Sequence, residues 1–399
     1  MPIGLDRSAT SNAAILSCGL NASIPDQLSR MSTPSQDLLR PVMPELDSLR
    51  GIAILGVLFL HGFFWQYSSL HFPGPARFFL RATQPGWLGV NLFFVLSGFL
   101  ITGILLDSKT RPDFYKRFYG RRALRILPAY YLLLLLLGLL GQAPAAYLGL
   151  GFVYLANVTN LFGVAQAYGP LWSLAVEEHY YLLWPTVVRQ LGKRGLAIIA
   201  ASVCVLVPIL RAVAFEKGFT YGLAIYTWFV LDGLVAGSLV AILLRTNVNR
   251  VTVKCICFAL VIGALAAAII GAPYGILTRN SLLGAALQHT VISGLFSGVL
   301  LAFLLIGTSA WKSWVNRPLL IFFGYISYGL YLIHLLTFRL YDKLGRRFWP
   351  VLLPADNQFG LVVLRFVCAG GVAVGMAYLS RRYFENKFLA LKTKLEPHG

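Results

Sequence analysis

Acidic residues are scarce in this sequence: 15 Asp and Glu stand against 34 Lys and Arg in 399 residues. Charged residues together make up only 12%, about half of what a soluble domain carries. That shortage excludes an ordinary water-soluble enzyme. Cysteine is sparse as well. The five residues Cys18, Cys204, Cys255, Cys257 and Cys368 are scattered and define no disulfide framework. Cys255 and Cys257 are spaced C-x-C without partner ligands nearby, so no metal site is expected. No G-x-S-x-G nucleophile elbow occurs. No basic motif is interleaved with stacking aromatics, so the net charge of +19 does not point to a nucleic-acid partner. Residues 1–43 lack the apolar core of a secretory signal. They are polar, Ser-rich and Pro-containing, which reads as a disordered cytoplasmic tail. Residues 386–399 read as a short cytoplasmic C-terminal tail.

Apolar residues dominate instead, at 57% of the chain with a mean hydropathy of +0.71. Many segments are long enough to cross a bilayer. The fold class expected is all-α: a polytopic transmembrane helical bundle of about ten spans, near 48–66, 87–106, 124–141, 171–190, 196–214, 222–244, 253–270, 286–307, 319–341 and 359–380. A further apolar stretch, 149–163, is short. The loop 107–125 carries Lys109, Arg111, Lys116, Arg117, Arg121, Arg122 and Arg125, which places it on the cytoplasmic side. If 149–163 crossed, the later basic clusters would lie outside; it is read instead as partly inserted or lying on the outer surface, which puts those clusters inside and both termini in the cytoplasm. The loop 342–358, with Lys343, Arg346 and Arg347, breaks the rule.

Within these apolar spans a few polar residues stand out. His61 follows Arg50 by eleven positions, a helical rise of about 16 Å. With Arg50 at the membrane surface, His61 lies near the middle of a hydrocarbon core about 30 Å thick. An ionisable group at that depth faces a bundle interior or a wet cavity and is a functional candidate by default. Ser97, Glu177 and His334 fall at similar depth in three other spans. Glu177 and Glu178 are adjacent and point about 100° apart, so they should not both face one site. Ser97-Gly98 also fits close helix packing through small residues. Tyr328, Tyr331 and His334 share one helical face. Arg122 and Arg125, three apart, suit phosphate oxygens, although basic residues in such places also serve as snorkelling anchors. Asp232 suits proton coupling or a structural bond to an arginine.

The motifs ELDSLRGIAILGVLFLH, GVNLFFVLSGFLIT, RRALRILPAYY, PLWSLAVEEHYYLLWP, LDGLVAG and ISYGLYLIH occur in the order seen in the acyltransferase type 3 family, which the chain resembles over roughly residues 44–385. That resemblance implies a membrane acyltransferase domain over this range. It would be an O-acyltransferase of bacterial surface sugars or secondary metabolites in the inner membrane. It implies essential roles for Arg50 and His61, and it matches a W-S-L-x-x-E motif at Trp172, Ser173, Leu174 and Glu177. The S-G-F motif falls at Ser97, Gly98 and Phe99. The family often has an arginine two residues before the aspartate of its later motif; here Val230 stands there before Asp232.

The expected reaction moves an acyl group, most simply acetyl, from acyl-CoA to a sugar or glycan hydroxyl. No permanently bound cofactor is expected, with acyl-CoA as donor substrate. Arg50, Arg122 and Arg125 are candidates for the donor phosphates. His61, with Glu177 and Arg50, is the candidate catalytic group; Ser97, Tyr331 and His334 are candidates for substrate binding. Neutral imidazole can act as general base or as a transient acyl carrier, and ping-pong kinetics would mark the second route. Glu177 could orient His61 or bind the acceptor. The rival expectation is a proton-coupled secondary transporter using His61, Glu177, Asp232 and His334 as a relay. That class calls for repeated halves, and no repeat is evident.

Overall fold

Helices follow one another through nearly all of a computed structural model that describes residues 36–391. No strand occurs among the described residues. Most of the segment read as an N-terminal tail, and residues 392–399 of the C-terminal one, lie outside this range. Within it, residues 36–38 form a turn of 3-10 helix whose Leu38 is fully buried.

The helices used below are α1 (Pro44–Phe59), α2 (Gly74–Thr83), α3 (Leu88–Asp107), α4 (Phe114–Leu139), α5 (Ala145–Phe152) and α6 (Leu171–Gln190). They continue with α7 (Lys193–Glu216), α8 (Thr227–Leu243), α9 (Arg250–Gly271), α10 (Leu282–Gly307), α11 (Pro318–Phe348) and α12 (Phe359–Leu379). Eight helices among the described residues are long and apolar enough to cross a membrane. The two other expected spans are helices too. Helix α8 has 17 residues, and α6 carries Glu177, Glu178 and Arg189, which lower its hydropathy.

Hydropathy marks only the apolar part of a helix. Helix α4 therefore starts ten residues before the expected span, at Phe114, and its added turns hold most of the basic residues read as loop. Helix α11 likewise runs on to Phe348.

Helix ends sort onto two faces. On one, Arg245 donates to both oxygens of Asp107 (2.7 and 2.6 Å), Lys193 donates to the Arg245 carbonyl (2.6 Å) and Lys109 to the Leu191 carbonyl. On the other, Arg339 donates to the Ala167 carbonyl (2.8 Å), Asn157 donates to Thr227 (2.9 Å) and the His71 amide donates to Asp356 (2.8 Å). The stretch between α4 and α6 forms the short α5 and turns, tied down by a bond from Tyr147 to the Tyr168 carbonyl (2.7 Å). It returns to the face it left, so 149–163 does not cross. The first face carries the expected basic clusters and is called the basic face here.

Small residues set the closest helix approaches, where no side chain separates two backbones. A methyl at Gly51 would collide with the Leu320 carbonyl, and one at Gly324 with the Asp47 carbonyl. This reciprocal contact locks α1 against α11. Gly98 meets the Leu234 carbonyl and Gly237 the Val95 carbonyl, which does the same for α3 and α8.

Two buried ion pairs join the bundle. Arg211 of α7 donates to both oxygens of Asp232 on α8 (3.3 and 2.9 Å), to the Phe229 and Ala286 carbonyls, and to Thr290. Arg365 of α12 binds both oxygens of Asp342 on α11 (2.6 and 2.8 Å). Arg211, with every donor engaged, tolerates such depth.

Candidate active site

A cavity of about 560 Å³ enters the bundle from the basic face, within the size range of small-molecule sites. Its outer wall carries Arg50, Arg111, Arg117, Arg121, Arg122 and Arg125, and its inner wall Ser97, Ser173, Glu177, Tyr328 and Tyr331. The expected donor-phosphate candidates thus share one chamber. Arg50 donates to Asp47 at 2.6 Å. The Arg122 guanidinium lies 5.0 Å above the Tyr181 ring, a cation–π contact. Near the mouth, a hydrogen bond from Arg111 (3.0 Å) holds the Asp113 carboxyl below the usual carboxylate range.

Glu177 is held from two helices. Its Oε1 accepts from Ser97 of α3 at 3.0 Å, and its Oε2 accepts from Tyr181, one turn along α6, at 2.9 Å. Glu178 also lines the cavity, against the expectation from their angular separation. The cavity is wide enough to wrap round that arc of α6. Among the described residues no hydrogen bond joins Glu177 to His61: the carboxyl is taken by Ser97 and Tyr181, and His61 Nδ1 faces Val57 and His334.

His61 sits on a π-helical turn, Leu60–Phe64, that follows α1 directly. Such turns re-aim side chains and recur at functional sites. Its Nδ1 lies 3.0 Å from the Val57 carbonyl and 3.2 Å from Nε2 of His334 on α11. Nδ1 of His334 lies 3.0 Å from the Leu330 carbonyl. His61 is half-buried, and its Nε2 has no hydrogen-bond partner among the described residues. His334 is fully buried and does not line the cavity, so it is placed behind the chamber rather than in it.

The four polar groups expected at one depth therefore meet as two pairs, Ser97–Glu177 in the cavity and His61–His334 behind it. Tyr331 stands between them. Its hydroxyl is 2.6 Å from Ser173 at the cavity's inner end, and its ring centroid is 6.0 Å from that of His334.

Asp232 is no free proton carrier: Arg211 and Thr290 occupy its oxygens. The arginine expected two residues before it is replaced by one from the preceding span. Sequence reasoning missed Arg211 and Arg365. The signal was available, because each is a single arginine within an apolar run.

Fold and site together define a polytopic helical membrane protein with polar chemistry at the heart of its bundle, reached from a basic face. The chain belongs to the acyltransferase family whose model, described as "Acyltransferase domain", matches residues 43–382. It is 33% identical over 166 residues to the peptidoglycan O-acetyltransferase OatA of Listeria monocytogenes, covering 37% of this chain and 24% of that protein. It is 32% identical over 202 residues to YrhL of Bacillus subtilis, whose peptidoglycan O-acetyltransferase name is provisional, covering 44% and 29%. The matched part of this chain thus spans about a quarter of those relatives' length. No solved structure matches.

Proposed function

We propose that this protein is a membrane O-acetyltransferase moving an acetyl group from acetyl-CoA to a hydroxyl of a cell-surface glycan, with peptidoglycan the first acceptor class to test. The names of the relatives support the glycan and the acetyl group. One observation supports the donor: an arginine-lined cavity whose wall includes Tyr331, with a histidine pair next to that tyrosine.

In this reading the basic face is cytoplasmic, as basic flanking residues dictate. Arg50, Arg122 and Arg125 hold the donor phosphates through charge-assisted hydrogen bonds. The pantetheine arm lies along the cavity past Ser97 and Glu177, and rotation of Tyr331 brings the thioester to His61. The acceptor hydroxyl approaches from the opposite face. Its oxygen bonds to the acyl carbon as the carbon–sulfur bond breaks. The hydroxyl proton passes to His61 Nε2 and then to the departing thiolate, which leaves as the free thiol.

The transporter alternative asks His61, Glu177, Asp232 and His334 to form one relay. Asp232 is bound to Arg211 in a separate cluster, which removes a member of that chain.

The deciding experiment supplies purified protein in nanodiscs with acetyl-labelled acetyl-CoA and peptidoglycan fragments. Label in ester linkage on the glycan, lost in His61→Ala, is the expected result. Unconsumed acetyl-CoA in the presence of these acceptors, with donor bound, would overturn the acceptor class. Absence of donor binding would overturn the whole reading.

A further inference from the structure

We infer that His334 is a positioning residue: together with the Val57 carbonyl, its Nε2 lone pair holds the tautomer of His61, and it stabilises the imidazolium that forms when His61 takes the acceptor proton. This rests on the acyl-transfer reading above for its second half, and on geometry alone for its first.

A backbone carbonyl can only accept a hydrogen bond. The Leu330 carbonyl, 3.0 Å from His334 Nδ1, therefore places a hydrogen on that nitrogen. A neutral ring protonated at Nδ1 carries a bare lone pair at Nε2. By the same rule, the Val57 carbonyl places a hydrogen on His61 Nδ1. That hydrogen is shared between two acceptors, the Val57 oxygen and His334 Nε2 at 3.2 Å. His61 Nε2 is then the unprotonated nitrogen, and it has no hydrogen-bond partner among the described residues. The atom needed as a base is thus the atom left bare.

The other tautomer of His61 would put two lone pairs, on Nδ1 and on His334 Nε2, against each other. It would also leave the Val57 carbonyl unpaired at that ring. Burial makes such mismatches costly. When Nε2 gains a proton, the positive charge spreads to Nδ1–H, which already has two acceptors in place. An acceptor behind the imidazole has the same logic in hydrolase triads, where a carboxylate fills this place. Here a neutral imidazole does so, which avoids burying a second formal charge in an apolar bundle.

The frame keeps the two rings in register. Helices α1 and α11 meet backbone to backbone at Gly51 and Gly324, so their separation cannot drift. Full burial of His334 and its i−4 bond hold the second ring in turn.

The test uses full-length protein in nanodiscs, labelled with ring-nitrogen-15 histidine. The chain has six histidines, and the His61 signals are those missing from His61→Gln. In the wild type, His61 should show a protonated Nδ1 and a bare Nε2. His334→Leu leaves the Val57 carbonyl as the one acceptor on Nδ1 among the described residues; it should raise the minor tautomer's share, lower kcat about a hundredfold and leave the KM for acetyl-CoA unchanged. His334→Gln, whose side-chain carbonyl can reach the place of Nε2, should restore at least a tenth of the wild-type rate and the single tautomer. A His334→Leu protein with one His61 tautomer and a wild-type kcat would overturn the inference. So would wild-type His61 found protonated at Nε2. If His334→Leu does not fold, the His334→Gln and wild-type spectra still decide. If the wild type transfers no acetyl group while its His61 spectrum is as expected, the acyl-transfer reading fails and the tautomer assignment stands.

Discussion

Ser173 and Tyr331 share a hydrogen bond of 2.6 Å that closes the inner end of the arginine-lined cavity. The two residues come from α6 and α11, so the closure is a contact between helices that can open without unfolding either. Tyr331→Phe keeps the ring and removes the bond. It should leave stability within about 1 kcal/mol and, with acetyl-CoA as the proposed donor, raise turnover without acceptor, because a thioester in the cavity would gain easier access to the histidines and to water. Uncoupled acetyl-CoA hydrolysis by the purified protein measures this. A variant with unchanged hydrolysis and transfer would show that this bond does not limit passage.

His61→Ala should reduce transfer by about 100-fold or more, the range for loss of a general base, while membrane insertion and abundance stay normal. Acetyl-CoA turnover and quantitative blotting of the same membranes check both halves. Retained turnover would remove the imidazole from the chemistry.

Glu177→Gln should lower transfer more than Glu178→Gln. Both oxygens of Glu177 are engaged, by Ser97 and Tyr181, so its carboxyl anchors two neighbouring side chains in the cavity wall. Glu178 lines the same cavity without such bonds among the described residues. Side-by-side kcat values decide, and the reverse order would reassign the carboxylate.

The order of elements and the helices that carry the key polar residues were legible in the sequence because both follow from hydropathy, which is local. Reading 149–163 as not crossing also put the basic clusters at 107–125, 189–194 and 245–254 on one side, and they do fall on one face of the bundle. Pairing was not legible. Nothing in the spacing of His61 says that His334, rather than Glu177, stands beside it. That depends on which helices approach closely, and the glycines at 51 and 324 show their role only when both backbones are in place. Single buried arginines escaped because a window average dilutes one charge among many leucines and valines. Arg211 makes the point: it replaces, from another helix, the partner that Asp232 lacks at position 230.

The Arg211–Asp232 pair supplies the last prediction. Every donor group on this guanidinium is occupied, and the residue is fully buried. Removing either partner strands the other charge in an apolar interior, which costs about 3–5 kcal/mol. Arg211→Met and Asp232→Leu should therefore each lower the thermal unfolding midpoint in detergent sharply. The double variant removes both charges and should regain most of that loss, because a buried ion pair is worth little beyond a well-packed apolar contact. Acetyl transfer by the double variant should return along with its stability, since neither residue touches the cavity. Restored stability with transfer still absent would instead give this pair a part in the reaction, and would place proton movement back on α8.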